Sequence, residues 1–259
     1  MRIPLYQVDA FADHVFGGNP AAVCLLDSWL ADDLLQAIAA ENNPTETAFV
    51  VRQGDVFAIR WFTSEKEVDL SGHATLASAH VVLRHLRPGL SSVVFRSQSG
   101  DLAVSRDGNR LSMLFPRRKA VACPAPVEVV NGLGLVPREI YKARDYLAVF
   151  ASEQEVRELR PDFAVLATVD ALGVIATAPA EDYDFVSRFF APRAGVNEDA
   201  VTGSAHCTLA PYWAERLTKK RLHARQVSKR GGEIYCEDRR NEVVIAGRTV
   251  EYFSGSIEI

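Results

Sequence analysis

Arg60-Trp61-Phe62-Thr63 runs into Asp69-Leu70-Ser71-Gly72-His73-Ala74, and Arg188-Phe189-Phe190-Ala191 runs into Asp199-Ala200-Val201-Thr202-Gly203-Ser204-Ala205. Each stretch reads as a strand, an acidic loop and the start of a helix. Gly72 follows Arg60 by twelve positions and Gly203 follows Arg188 by fifteen, so the two stretches match apart from a three-residue insertion. Gly72 and Gly203 stand 131 positions apart, about half of the 259-residue chain. A supersecondary unit duplicated at that offset implies two similar lobes, each presenting a helix N-terminus beside acidic and hydrogen-bonding side chains. The unpaired N–H groups of such termini suit a small anion.

Outside the repeat, composition narrows the classes. The chain is 48% hydrophobic and 24% charged, the balance of a soluble globular protein. No apolar run reaches the ~18 residues of a membrane helix, so no membrane partner is expected. Met1 to Phe11 lacks an apolar signal region and reads as a first strand, which makes the cytoplasm the default location. A net charge of −4 with interspersed signs gives no footprint for nucleic acid. The clusters Arg117-Arg118-Lys119 and Lys219-Lys220-Arg221 read as solvated. Cys24, Cys123, Cys207 and Cys236 lack the CxxC spacing of zinc or redox sites.

Working outward from the first copy, Leu5 to Phe11 and Ala21 to Leu26 are strand-like and flank the turn Gly17-Gly18-Asn19-Pro20. A helix from about Trp29 to Glu41, capped by Asp27 and Ser28, places Leu30, Leu34, Leu35 and Ile38 on one face. It stops at Asn42-Asn43-Pro44, because proline disfavours helical geometry in the residue before it. Residues 73 to 85 form a helix that is apolar on nearly every side, hence buried and wrapped by sheet. Antiparallel strands are expected over 91–97, 101–106 and 109–115.

These readings divide the chain into an N-terminal lobe over 1–116, a proline-rich linker over 117–126 and a C-terminal lobe over 127–248. Residues 249–259 form a last strand with the option of returning to the first lobe. In the second lobe, helices are expected around 127–133 and from Ser204 to Leu217. Its strands are expected near 145–151, 172–177, 187–191, 231–237 and 242–246.

Several side chains are candidates for chemistry. Glu46 stands at the entrance of an apolar strand, where partial desolvation would raise its pKa, although such a glutamate is often simply solvated. Asp199 shares its loop with Glu198 and reads either as a helix-dipole acid or as part of a ligand site beside Gly203. Its first-lobe analogues are Glu67 and Asp69. His73 sits in the first turn of the buried helix, which disfavours the imidazolium and leaves a neutral ring, whether for proton transfer or as a packed core residue. His206 and Cys207 read as packed. Asn19 either bonds a substrate or stabilises its turn. His73, His206, Asp199 and Glu46 form no ligand motif such as HExxH, so no metal is expected. No serine lies in a nucleophile elbow.

With these residues in place, the chain resembles the PhzF family of phenazine biosynthesis, within the diaminopimelate epimerase-like superfamily. The resemblance rests on several stretches in order: Val8-Asp9-Ala10-Phe11, Gly18 to Val23, Glu46-Thr47-Ala48-Phe49, Arg60 to Thr63 with Glu67 to Ala74, and Glu198 to Ala205. It implies an α+β fold of two pseudo-symmetric lobes, each an antiparallel sheet rolled around a central helix, with the active site in the cleft between them. It further implies Glu46 as general acid/base, His73 and Asp199 as supporting proton-transfer or orienting groups, and Ser71, Gly72, Gly203 and Ser204 lining a site for a small carboxylate substrate. Family members are typically cofactor-independent and often homodimeric, so no cofactor and a homodimer are expected.

One departure from the superfamily bears on mechanism. Where racemase relatives carry two facing cysteines, this chain has Ser71 and Thr202, and hydroxyls do not replace a thiolate near neutral pH. The expected activity is therefore a proton-moving isomerisation at Glu46. The alternatives are an epimerase that uses Glu46 and Asp199 as opposed acid and base, and a non-catalytic small-molecule binder.

Overall fold

A computed structural model describes all residues, 1–259. The chain folds as two compact units, one formed by Met1–Leu114 with Ala246–Ile259 and the other by Phe115–Ile245.

In the first unit the opening strand Arg2–Ala10 lies between two neighbours. On one side it pairs antiparallel with Asn19–Leu26, and on the other with the C-terminal strand Thr249–Glu258. The turn before Asn19 requires glycine. Gly18 has φ +61, and a Cβ there would stand 2.2 Å from the Ala10 carbonyl oxygen.

Asn19–Leu26 then pairs parallel with Glu46–Gln53, and Val56–Phe62 pairs parallel with Ser92–Ser97. Parallel neighbours need a long crossover, which helices Asp32–Asn42 and Gly72–Val81 supply. The second unit repeats the device. Tyr146–Val149 pairs parallel with Val174–Ala178 across short helices Glu153–Glu158 and Phe163–Leu166, and Phe185–Ala191 with Arg221–Gln226 across His206–Leu217. The class is α+β, and the sheets are mixed rather than purely antiparallel. The three strands Ser92–Ser97, Gly100–Asp107 and Arg110–Pro116 do form an antiparallel meander.

Helix Gly72–Val81 is apolar all round because it packs against the strands of its own unit on several sides. Ala74, Leu76, Ala77, Ala79 and Val81 are all buried. Ser71 caps it by accepting from the Ala74 N–H at 3.3 Å, and beyond Val81 the backbone widens into a π turn over Val82–Leu86. The preceding helix starts at Asp32, not near Trp29. Ala31 is its N-cap without a side-chain bond, and Asp32 and Asp33 supply the acidic first turn in place of Asp27 and Ser28. Trp29 and Leu30 are instead spent on the core, where they pack against the cluster of Leu35, Ile38, Phe49 and Phe62.

Helix His206–Leu217 contains Pro211, which cannot donate to the Cys207 carbonyl one turn earlier. The Arg118 N–H takes that place at 2.9 Å. Residues 117–126, expected as a linker, are thus tied into the second unit, where Val121–Ala122 also pairs with Tyr141–Lys142. Neither basic cluster is a bare patch. Arg117 forks onto Asp238, Lys119 faces Glu215 and Lys219 meets Asp184. No helix is long and apolar enough to cross a membrane.

Candidate active site

In the first unit the site is built from a strand start and a helix start. Glu46 opens its strand and is the register partner of Ala21, two residues after the wholly buried Asn19. His73 lies in the first turn of helix Gly72–Val81, beside Ser71 and Gly72. The fold brings these elements together, so that Glu46 Oε2 lies 3.6 Å from His73 Nε2, with side-chain exposures of 15% and 9%.

Burial alone pushes the His73 pKa down to about 3. A charged imidazolium would lose its hydration there, so the ring is neutral at physiological pH and the contact is not an ion pair. His73 Nε2 has no hydrogen-bond partner. A carboxylate and a neutral imidazole are therefore held just outside hydrogen-bond range, on two elements that are themselves fixed by the sheet and the cap.

In the second unit Asp199 ends the short strand Val196–Asp199, and Gly203–Ala205 forms a single 3₁₀ turn that runs into helix His206–Leu217. Thr202 does not cap that turn. Its hydroxyl donates to Asp199 Oδ2 at 2.6 Å, while its N–H donates to Gln226 Oε1 at 2.8 Å. The other end of the Gln226 amide donates to the Asp199 carbonyl at 2.8 Å and to Thr202 Oγ1 at 3.2 Å. His206 turns Nδ1 onto the Thr202 carbonyl at 2.9 Å, so that nitrogen carries the ring proton. Burial holds the His206 pKa down at about 4.

The acidic loops also carry a structural pair in each unit. Arg60 forks onto Glu67 at 2.7 Å through both Nε and Nη2, and Arg188 forks onto Glu198 at 2.7 and 2.9 Å. Glu67 and Glu198 therefore correspond and brace their loops. Asp69 is exposed, whereas Asp199 is held.

Two groups escape a reading by motif. Gln226 occupies the inward phase of a strand whose other inward residues are Leu222 and Ala224, and a glutamine on such a phase needs internal partners. Arg144 donates Nη2 to Ser204 Oγ at 3.1 Å and is anchored by the wholly buried Asp145. Adjacent opposite charges before a strand give no comparable signal. No group of three or more His, Cys, Asp or Glu side chains is arranged to hold a metal ion. Burial raises the Cys24 thiol to about 12 and the Cys207 thiol to about 11, which keeps both protonated.

The architecture defines the class first. A hydroxyproline epimerase from Agrobacterium vitis is 10% identical and aligns over 99% of this chain and 92% of its own with a TM-score of 0.61. That likeness is one of fold alone. Residues 8–255 match the family model described as phenazine biosynthesis-like protein, and the chain belongs to this PhzF family.

A PhzF family protein from Enterococcus faecalis, 44% identical, superposes over the full length of both chains with a TM-score of 0.98. An uncharacterized isomerase of Pseudomonas aeruginosa is 49% identical over the whole of both chains, and a second from the same organism is 51% identical. The human phenazine biosynthesis-like domain-containing protein is 37% identical over 90% of this chain and 91% of its own. The chain thus falls among the isomerases of the family.

Proposed function

We propose that the protein is a cofactor-independent isomerase that moves a proton on a small carboxylate-bearing metabolite, with Glu46 as the general acid/base. The observation that carries this reading is the approach of Glu46 Oε2 to within 3.6 Å of the buried, neutral His73 Nε2. In such a pair the carboxylate takes a proton from an activated carbon, and the imidazole orients it or relays the proton without adding a competing charge.

Each helix start, Ser71-Gly72 and Gly203-Ser204, is assigned as a carboxylate-binding element in its own unit, because backbone N–H groups and the helix dipole favour an anion. Asp199, held by the Thr202 hydroxyl, serves as an orienting or second proton-transfer group, and Asn19 as a substrate-binding group. Ser71 and Thr202 supply hydroxyls, not thiolates, so proton abstraction falls to the carboxylate. A homodimer is the proposed assembly, to be checked by light scattering.

The direct test is deuterium exchange into candidate carboxylic acids in heavy water, comparing the wild type with Glu46→Gln. The variant is expected to lose roughly 10²–10⁴-fold in exchange rate. Undiminished exchange would remove Glu46 from this role. The product also discriminates: a shifted double bond supports isomerisation, whereas inversion at one stereocentre indicates an epimerase that uses Glu46 and Asp199.

A further inference from the structure

Arg144 occupies a place that the electrostatics of its own unit do not favour. Its guanidinium lies against Ser204, in the turn that begins helix His206–Leu217, where the backbone already carries partial positive charge. A second positive charge there is unfavourable unless something negative accompanies it. Asp145 supplies part of that, receiving Nε at 3.2–3.3 Å and Nη2 at 3.0 Å. Asp145 is wholly buried and its carboxylate has no other side-chain partner, so it fixes the guanidinium in one orientation. Nη1, with its two N–H donors, has no protein acceptor. About a third of the Arg144 side chain is open to solvent.

A second arginine lies close in the chain path. The Arg118 N–H donates to the Cys207 carbonyl at 2.9 Å, which sets its backbone beside the first turn of this helix. Arg118 Nη1 is buried with no hydrogen-bond partner. A buried guanidinium nitrogen left without an acceptor is costly. Asp145 and Asp199, the latter held on the Thr202 hydroxyl, offset the cations near this helix start, and the open donor edge there is Nη1 of Arg144.

We propose that Arg144, oriented by Asp145, is the specificity-determining cation that pairs through Nη1 with the substrate carboxylate at Gly203-Ser204. This rests on the reading of that helix start as a carboxylate site and adds the residue that selects for an acid over its amide or ester. Arginine suits the task because its planar fork can hold Asp145 on one edge and an incoming carboxylate on the other.

The test uses malonate as the probe, titrated into the full-length protein and followed by the backbone amide signals of Gly203 and Ser204 in ¹H–¹⁵N spectra. Because Arg144→Ala would strand the buried Asp145 carboxylate, the informative variant is the pair Arg144→Met with Asp145→Asn, which removes both charges and keeps the volume. Malonate is expected to shift both amides in the wild type and in Glu46→Gln, and to bind at least tenfold more weakly in the double variant. Arg144→Lys, which keeps the charge without the fork, is expected to lie between them.

Equal affinity in wild type and double variant would overturn the role of Arg144 while leaving the carboxylate site standing. Malonate shifts confined to other amides, or none at all, would overturn both. Loss of deuterium exchange in Glu46→Gln is a separate readout that neither result touches.

Discussion

The two helix starts share a sequence pattern but solve the same physical problem differently. At the first, Ser71 caps the helix directly, and the free face of His73 meets a carboxylate from a neighbouring strand. At the second, Thr202 leaves the cap vacant and donates to Asp199, a 3₁₀ turn replaces the first α turn, and His206 is bound back onto Thr202. The first histidine is poised and the second is tied. Both units keep the Arg–Glu brace, and they differ at the cap and at the histidine.

That contrast can be broken most severely at the braces. Arg188 is buried and also donates to the carbonyls of Val156 and Leu159, so Arg188→Leu strands Glu198 and two carbonyls. A loss of about 3–5 kcal/mol is expected in urea unfolding. Arg60→Leu should cost up to about 1 kcal/mol, because its partners Asp32 and Glu67 stay in contact with water. Equal losses would mean that the two braces are equivalent.

Next come the histidines themselves. His73→Asn is expected to reduce deuterium exchange by about 10²-fold, whereas His206→Asn should leave it within a few-fold while lowering stability. The reverse ranking would exchange the roles assigned to the two helix starts.

The acid limb of stability sharpens the comparison further. Both histidines have folded pKa values, about 3 and about 4, below the ordinary 6.5. As pH falls below 6.5 the unfolded chain binds protons that the folded chain refuses, so their stabilisation is complete above that pH and is lost toward 4. Lowering pH from 7 to 5 should cost about 2 kcal/mol per histidine, and His206→Gln should abolish one such share. An unchanged acid limb in that variant would show that His206 is not held neutral by burial.

The smallest effect is expected from the thiols. Iodoacetamide should leave exchange activity unchanged, since Cys24 and Cys207 are buried and held protonated. Rapid inactivation that accompanied alkylation of Cys207 would restore a thiol to the second helix start.

Much of this was legible along the chain. The strand that begins at Glu46, the buried helix after Gly72 and the helix ending at Leu217 follow from turn chemistry and hydrophobic spacing, which act over a few residues. The start of the first helix was misplaced, because Trp29 and Leu30 continue its apolar spacing while serving a core packed from other strands. The tie of residues 117–126 was hidden for a related reason. Pro211 announces a missing hydrogen bond, but nothing local says that Arg118, 93 positions earlier, supplies it.

The sequence by itself determined the repeat, the α+β class and the family, and it singled out Glu46, His73 and Asp199, because motif order and local periodicity survive without coordinates. Tertiary structure decided what those groups experience. The neutrality of His73, its distance from Glu46, the Gln226 clamp on the Asp199 loop and the Arg144–Asp145 pair behind Ser204 all depend on burial by distant segments. Desolvation and electrostatic partners are sums over everything packed nearby, and only the completed fold fixes those neighbours.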